Sequence, residues 1–285
     1  MSPSVIVLTG ATSGLGRLAA LDLARTGAHL ILPARDSAKA AETAALIARV
    51  APSVTVETPI ADLSRMDDVR RLGLEITAAH PRIDALINNA GLHAFSARTT
   101  SDGYPEMVAV NYFAPWLLTH GLRQALAAAP ASRVVTVASE ASRRHGVLRL
   151  PHDLTATPDF TARESSEHYG RSKLLDIMFT QELSRRMAGT NVTALCLDPG
   201  FNLTGLGREV RGAAIIERVL KALRIGDPSR GAGLIVRLAT DPSYRDRGGE
   251  YWTVRGPRAI RPAAPGDDRQ LQRELWEHTA RLLLG

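Results

Sequence analysis

Between its first apolar run and its first segment of helical periodicity, the chain reads Thr9-Gly10-Ala11-Thr12-Ser13-Gly14-Leu15-Gly16. Gly10 permits a tight turn, Gly14 lets the backbone approach a pyrophosphate, and Gly16 permits close packing of the helix on the strand. Amide groups and a partial positive charge at the start of the helix would attract phosphate. Because a strand precedes the glycines and a helix follows them, the stretch predicts a dinucleotide-binding turn.

Around this turn, short apolar runs alternate with longer segments of helical periodicity. Strands are predicted over residues 5–9, 29–33, 54–58, 83–88, 133–138 and 192–197, and helices over 15–25, 38–50, 66–79, 103–128 and 166–187. This alternation predicts an α/β fold: a single doubly wound Rossmann-type parallel sheet with helices on both faces, in one domain spanning residues 1–285. A linker-like stretch at 256–268 precedes a predicted amphipathic helix at 270–284.

Two long irregular segments, 140–165 and 200–226, exceed ordinary loop lengths, so we expect them to face the substrate. Within the second segment, apolar residues at helical spacing between positions 206 and 225 predict either a lid over the site or the contact surface of a homodimer.

Composition narrows the function classes. The 285 residues include one cysteine, Cys196, which excludes an internal disulfide and fits a reducing cytoplasm. No apolar run reaches the roughly 18 residues of a membrane span, and no signal-peptide pattern opens the chain. The formal net charge is +6, but the arginines are scattered without a basic cluster. We therefore predict no nucleic-acid partner, no membrane span and no metal site.

The end of the second predicted strand, Ala34-Arg35-Asp36, bears on the choice of cofactor. A carboxylate at this position would bind a ribose 2′-hydroxyl, whereas an arginine fits a 2′-phosphate. Arg35 occupies the strand end, and Asp36 lies where it would cap the next helix. Arg17 and Lys39 would add positive charge. The pattern favours NADP(H).

Other segments fit a nucleotide groove, although each is also compatible with ordinary turn chemistry. Asp62 follows the third strand, where it would accept the adenine amino group. Asn89-Ala90-Gly91 offers backbone groups beside the ribose, and the turn Asp198-Pro199-Gly200, reinforced by Thr204, would face the carboxamide. The predicted cofactor-binding residues are Gly10, Thr12, Ser13, Gly14, Leu15, Gly16, Arg35, Asp62, Leu63, Asn89, Ala90, Gly91, Tyr169, Lys173, Pro199, Gly200, Asn202 and Thr204.

A tyrosine and a lysine, Tyr169 and Lys173, lie one turn apart on one face of a predicted helix. A phenol has a pKa of about 10 and needs a nearby positive charge to act near neutral pH. A lysine ammonium one turn away would supply that charge and would also hold the nicotinamide ribose. The chain has only three lysines among its 35 basic Lys and Arg residues, so a lysine at this position is informative.

Two polar residues accompany this pair. Ser139 ends a predicted strand, where its hydroxyl would bind the substrate oxygen. Asn111 lies in an apolar helical stretch, and it would hold a water that links Lys173 to solvent. Together with the glycine turn, Asn88–Gly91 and Pro199-Gly200, these residues resemble the ordered motifs of the short-chain dehydrogenase/reductase family over residues 4 to about 255.

Within that family the chain resembles the branch of retinol dehydrogenases and protochlorophyllide reductase relatives. The resemblance implies a catalytic tetrad of Asn111, Ser139, Tyr169 and Lys173 and the use of NADP(H). Two departures bear on substrate preference. The first lies around Ser139: Ala138 precedes it where serine is frequent, and Glu140 follows it and would place an acid beside the active site. The second is Asp198, which stands where relatives often have histidine.

The implied activity is that of a ketone or aldehyde reductase, or an alcohol dehydrogenase, acting on a lipophilic or biosynthetic small molecule. Two alternatives stay open: non-redox proton chemistry by Tyr169 (dehydration, epimerisation or cyclisation), which an acid at Glu140 would favour, and a catalytically silent NADP-binding regulator. The candidate substrate-contacting residues are His93, Phe95, Glu140, His145 and Phe201.

Overall fold

The computed structural model describes residues 3–200, 227–256 and 258–285, and the strands within these ranges form one sheet. Its order is β3-β2-β1-β4-β5-β6-β7-β8, and every neighbouring pair is parallel except the antiparallel pair β7–β8. The strands are β1 (Val5–Leu8), β2 (His29–Ile31), β3 (Val56–Glu57), β4 (Ala85–Asn88), β5 (Ser132–Val137), β6 (Val192–Asp198), β7 (Tyr251–Thr253) and β8 (Arg258–Ile260).

Helices connect the strands and cover both faces of the sheet. They are α1 (Gly14–Arg25), α2 (Ser37–Val50), α3 (Met66–Ala79), α4 (Glu106–Val108), α5 (Ala114–Ala127), α6 (His152–Thr155), α7 (Ser165–Arg186), α8 (Pro228–Thr240) and α9 (Arg269–Leu284). A π-helical turn, Ala109–Phe113, joins α4 to α5, and short 3₁₀ turns cover Glu140–Arg144 and Pro242–Tyr244.

The two faces of the sheet carry separate hydrophobic clusters, as the two-residue period of a strand requires. In β1, Val7 packs toward α3, α5 and α7, whereas Ile6 and Leu8 pack toward α1 and α8. All three side chains are essentially fully buried. The structure therefore confirms the predicted doubly wound α/β sheet, which is parallel as predicted except at the edge pair β7–β8.

The strand order reverses direction between β1 and β4, which places a crevice at the carboxyl ends of these two strands. Three elements at the C-terminal end of the chain were not predicted: α8, β7 and β8. The predicted linker at 256–268 in fact contains β8, which pairs antiparallel to β7 at the sheet edge. Among the described residues, no helix is both long and apolar enough to cross a membrane.

Candidate active site

A cleft of about 330 Å³ opens at the carboxyl ends of the strands. Its walls contain every predicted cofactor residue that lies among the described residues, apart from Gly14. Ser139 also lines it, together with Pro33, Ala34, Ala61, Leu92, Val110, Val137 and Ala138. Phe201, Asn202, Thr204 and nearly all of the predicted lid fall outside the described residues.

The glycine turn is held in a geometry that excludes side chains. A Cβ on Gly10, whose φ is +70°, would lie 2.8 Å from the Cα of Ala90, and a Cβ on Gly16 would lie 2.2 Å from the carbonyl oxygen of Gly10. The side-chain amide of Asn89 donates to the carbonyl oxygens of Thr9 (2.9 Å) and Gly10 (3.3 Å). The Asn89 side chain therefore holds the glycine turn in place, and the predicted backbone contact with the ribose stays a prediction.

This turn fits a dinucleotide pyrophosphate. Gly14 begins α1 with a φ of +52°, and the preceding residue, Ser13, makes no side-chain capping bond to the first turn of the helix. The first amides of α1 are therefore left for a ligand, at the end of the helix that carries partial positive charge. Ser13, Leu15 and Gly16 line the cleft.

Arg35 and Asp36 differ in their engagement with the protein. Asp36 caps α2, as predicted, since its carboxylate accepts from the amides of Ala38 and Lys39. Arg35 is exposed and lines the cleft, and within residues 3–200, 227–256 and 258–285 its guanidinium has no hydrogen-bond or ion-pair partner. The two other predicted cations are paired, Arg17 with Glu42 (2.9 Å) and Lys39 with Asp36 (3.5 Å).

At the opposite end of the cleft, Tyr169 and Lys173 project from α7 and are both buried. The ammonium nitrogen of Lys173 lies 6.0 Å from the centre of the Tyr169 ring. It donates to the carbonyl oxygen of Val137 (2.8 Å) and to Oδ2 of Asp176 (2.9 Å). Sequence reasoning missed Asp176, whose spacing from Lys173 was a usable signal, because an Asp three residues along a helix reads as a surface ion pair.

These buried charges act on the phenol in opposite directions. Burial raises the pKa of Tyr169, Lys173 lowers it, Asp176 and Asp198 raise it, and the Ser139 hydroxyl lowers it, with a raised pKa as the result. Lys173 thus acts with the predicted sign, but burial and two carboxylates outweigh it. In this state Tyr169 holds its proton, which suits a proton donor.

Burial also acts on the pKa values of both Lys173 and Asp176. Burial lowers the pKa of Lys173, but Asp176 and Tyr169 outweigh this effect and raise it. Burial raises the pKa of Asp176 to about 6, against the opposing effect of Lys173. Oδ1 of Asp176 has no hydrogen-bond partner among the described residues. The carboxyl of Asp176 therefore has a pKa of about 6, and one of its two oxygens accepts a hydrogen bond from Lys173.

Ser139 and Asn111 flank this pair. Ser139 lines the cleft, and its Oγ accepts from the amide of Ala141 (3.1 Å). Asn111 lies in the π-helical turn and not in a regular helix. Its Oδ1 accepts from the backbone amide of Leu92, and its Nδ2 donates to the carbonyl oxygen of Leu92 and to the Ser172 hydroxyl.

Asn111 and Lys173 approach each other at Gly91. A Cβ on Gly91 would lie 3.4 Å from both Oδ1 of Asn111 and Nζ of Lys173. The predicted water between Asn111 and Lys173 stays a prediction.

An aromatic stack adjoins the phenol of Tyr169. The His93 ring stacks on Tyr169, with ring centres 4.6 Å apart and planes at 16°, and on Phe95, also at 4.6 Å. Nε2 of His93 lies 3.1 Å from the Ser165 hydroxyl. The structure thus places His93 against Tyr169, and Phe95 lies against His93.

Glu140 and His145 lie elsewhere than expected. Both oxygens of Glu140 are engaged, Oε2 by Arg143 (2.9 Å) and Oε1 by the Tyr251 hydroxyl (3.3 Å). Nε2 of His145 bonds the carbonyl oxygen of Ala264. Neither residue lines the cleft, which corrects the expectation of an acid beside Tyr169.

Asp198 is buried behind this region. Its carboxylate accepts from the amide of Glu140 (3.1 Å) and the hydroxyl of Thr253 (3.2 Å), and it thereby ties the 3₁₀ turn after β5 to β7.

Comparison with known proteins agrees with this geometry. Residues 4–151 match the family model described as "short chain dehydrogenase", which is more than half of the chain. The chain belongs to the short-chain dehydrogenase family. Its members bind a nicotinamide cofactor in this fold, and the chain is accordingly an oxidoreductase that acts on alcohol or carbonyl groups of small molecules.

Two curated relatives and one crystal structure place it further. The chain is 32% identical to "Retinol dehydrogenase 14" of Homo sapiens, over 97% of this chain and 85% of that protein. It is 33% identical to the "Putative daunorubicin C-13 ketoreductase DnrU" of Streptomyces sp. (strain C5), over 96% and 91% respectively. A "putative NAD(P) dependent gluconate 5-dehydrogenase" from Beutenbergia cavernae, solved with bound NADP at low occupancy, superposes with a TM-score of 0.68 at 28% identity and covers 89% of this chain and 96% of its own.

Proposed function

We propose that this chain is an NADP(H)-dependent carbonyl reductase or alcohol dehydrogenase for lipophilic substrates, with Tyr169 as the group that donates or accepts the proton. One observation carries the proposal. The buried Tyr169–Lys173 pair lines the same cleft as the glycine turn and Arg35, whose guanidinium has no partner in the described part of the chain.

The residues of the cleft divide the chemistry among them. A bound nicotinamide supplies or takes up the hydride. The Tyr169 phenol, whose pKa is raised, keeps its proton at neutral pH and donates it to the substrate oxygen in reduction. The Ser139 hydroxyl, which already accepts from Ala141, donates a second hydrogen bond to that oxygen.

Lys173 and Asp176 set the position and charge of the proton donor. The ammonium of Lys173 stabilises the phenolate that Tyr169 becomes after proton transfer. Asp176 and the carbonyl oxygen of Val137 each accept a hydrogen bond from that ammonium. These two bonds hold it in a buried position, one helical turn along α7 from Tyr169. Asp176 is therefore a positioning residue in this scheme.

Recognition of the 2′-phosphate is assigned to Arg35. Its guanidinium is exposed at the cleft and unpaired among the described residues, whereas Asp36, which would otherwise bind a 2′-hydroxyl, is spent on capping α2. A planar guanidinium can bind a phosphate through two hydrogen bonds. The NADP bound to the Beutenbergia relative agrees with this assignment.

The substrate class follows from the wall beside Tyr169 and from the relatives. Leu92, Val110 and Ala138 line the cleft, and the stack of His93 and Phe95 adjoins the phenol. Two of the relatives are named for activity on retinol and on the C-13 ketone of daunorubicin. We therefore assign to this site carbonyls with an extended apolar body.

The test is to follow the absorbance of the reduced nicotinamide while the chain is offered aldehydes and ketones of increasing apolar area. We expect NADPH to be oxidised fastest with the large apolar carbonyls, with NADH far less effective and with Tyr169→Phe as the inactive control. If NADH served equally well, the role of Arg35 would be wrong. If the chain consumed a substrate in a Tyr169-dependent manner without any change in cofactor absorbance, the redox assignment would be wrong.

A further inference from the structure

Three side chains far apart in sequence converge on one edge of the sheet, away from the cleft. His29 is the first residue of β2, Glu57 is the last residue of β3, and His80 follows the end of α3. The cleft is lined instead by residues beyond the carboxyl end of β2, from Pro33 to Arg35. The cluster therefore lies outside the active site.

The donor atoms of the three side chains point at one another. Nε2 of His29 lies 2.6 Å and Nε2 of His80 lies 3.1 Å from the same oxygen of Glu57, and one ligand atom from each residue lies within 4.8 Å of the others. The two imidazole rings meet edge to face, with centres 5.0 Å apart and planes at 88°. Such perpendicular rings aim their nitrogens at a common point without clashing.

The side chain of His80 differs from the other two in the hydrogen bonding of its Nε2 atom. Its Nε2 is buried, yet among the described residues it has no hydrogen bond of acceptable direction, despite its 3.1 Å distance from Glu57. A buried polar nitrogen without a directed partner costs free energy. A metal ion bound among the three ligands would accept the lone pair of this His80 nitrogen.

We propose that His29, Glu57 and His80 form a site for a divalent transition metal, with zinc as the ion that fits best. Two imidazole nitrogens and one carboxylate oxygen make a ligand set that holds Zn²⁺ and leaves a fourth position for water. The Glu57 side chain is 42% exposed, so the site is open to ions and water on one side. This inference does not depend on the proposed function.

The two separations that involve Glu57 need only a small adjustment to take the ion. Bonds of about 2.0–2.1 Å in a tetrahedral arrangement separate neighbouring ligand atoms by about 3.3 Å. The observed separations from the Glu57 oxygen, 2.6 and 3.1 Å, would widen by less than an ångström, within reach of rotations of the Glu57 side chain. Mg²⁺ and Ca²⁺ favour sets made of oxygen ligands and are not expected here.

Glu57 is electrostatically suited to be a ligand. Burial raises the pKa of its carboxyl, but the adjacent imidazoles of His80 and His29 more than compensate, so the pKa lies below its usual value. The carboxylate is thus ionised at neutral pH.

A bound ion would connect β2, β3 and the end of α3. Of these, β3 is two residues long and lies at the edge of the sheet, where pairing on one side only holds it in place. The expected consequence is a higher thermal midpoint with zinc, and an unchanged turnover at the distant cleft.

The experiment starts from the full chain stripped of metal by a chelator, to which Zn²⁺ is added before unbound ion is removed. We expect one equivalent of zinc per chain, a raised thermal midpoint, and intense visible absorption when Co²⁺ replaces Zn²⁺, as four-coordinate sites give. In His80→Gln and Glu57→Gln, zinc affinity should fall by more than about 100-fold while NADPH oxidation is retained.

The matched control is His120→Gln, which alters a half-exposed histidine on α5 whose ring stacks on Trp116 and contacts Arg123. It should bind zinc as the wild type does. Retained activity in the two ligand variants shows that they are folded.

Two results would overturn the proposal. One is stoichiometric zinc in His80→Gln and Glu57→Gln, which would put the ion elsewhere. The other is a wild-type thermal midpoint that shifts with pH but not with zinc, which would make the cluster a proton-linked ion pair only.

Discussion

Two cations at opposite ends of one cleft are treated in opposite ways by the fold. Arg35 is exposed and has no partner among the described residues, whereas Lys173 is 4% exposed and has two. An exposed guanidinium without a carboxylate is available for a negative charge that a ligand brings. A buried ammonium held by Asp176 is already committed to the protein and acts on its neighbour Tyr169. In the function that we propose, the first cation serves cofactor binding and the second serves the proton-transfer step.

The largest expected effect concerns the chemical end of this comparison. Tyr169→Phe removes the proton donor but keeps the ring, so turnover of NADPH with a carbonyl should fall by about 10²–10⁴-fold. Its binding constant for NADPH should stay near that of the wild type. A steady-state assay at saturating NADPH measures the first, and a fluorescence titration of the cofactor measures the second.

Loss of the partner of Lys173 comes next. Asp176→Asn leaves a buried ammonium without its counter-charge, and breaking a buried pair in this way costs about 3–5 kcal/mol of unfolding free energy. Asp22→Asn is the matched control, because Asp22 pairs with Arg25 at the same i,i+3 spacing on the surface. There we expect less than about 1 kcal/mol. Urea unfolding of the two variants compares them; equal losses would mean that Lys173 does not depend on Asp176.

The same residue predicts a dependence on pH. The pKa of Asp176 is about 6, so its carboxylate is ionised above that pH and takes up a proton below it. As the pH falls through about 6, Lys173 loses its counter-charge and reductase turnover should decline. The pH–rate profile of Asp176→Asn should lack this inflection. An inflection that persists in the variant would have to be assigned to another group.

At the binding end, Arg35→Ala should weaken NADPH binding by about 10–100-fold, the value of one or two charge-assisted hydrogen bonds, and should leave NADH binding nearly unchanged. Arg17→Ala is the control, since Arg17 is already paired with Glu42. Competitive titration with both cofactors measures the ratio. Equal losses for NADPH and NADH in Arg35→Ala would contradict recognition of the 2′-phosphate.

The smallest effect is expected at the aromatic stack beside Tyr169. Replacing His93 by alanine removes a ring stacked on Tyr169, which is worth about 0.5–1.5 kcal/mol, so turnover should fall several-fold. His93→Phe keeps the stacked ring but loses the contact with Ser165, and it should recover most of the rate. Matching losses in the two variants would show that the Ser165 contact matters and the stack does not.

The sequence was sufficient for the first six strands of the sheet and for most of the residues that line the cleft. Features that depend on local geometry could be predicted, because a short stretch of sequence determines them. They are the glycine turn, Arg35 at a strand end, Ser139 at a strand end and the Tyr169–Lys173 spacing on a helix. Asp36 as a helix cap belongs to the same class, and the structure confirms it.

What escaped prediction depends on contacts that only the folded chain creates. Asp176 has the spacing of a surface ion pair, and burial of α7 against the sheet turns it into an interior charge. Glu140 precedes Arg143 at a similar spacing, and that pair, together with Tyr251 from the unpredicted strand β7, draws the acid away from the cleft. His29, Glu57 and His80 lie 28 and 23 residues apart and meet because β2 and β3 are neighbours in the sheet.

The most direct test of the central claim is a single-turnover measurement of NADPH absorbance, with cofactor pre-bound and a large apolar carbonyl added. It isolates the chemical step from cofactor binding. The account predicts that Tyr169→Phe loses at least about 99% of the wild-type rate of hydride transfer, while Arg35→Ala, once saturated with NADPH, retains it. A Tyr169→Phe rate above about a tenth of the wild-type value would contradict proton transfer by Tyr169.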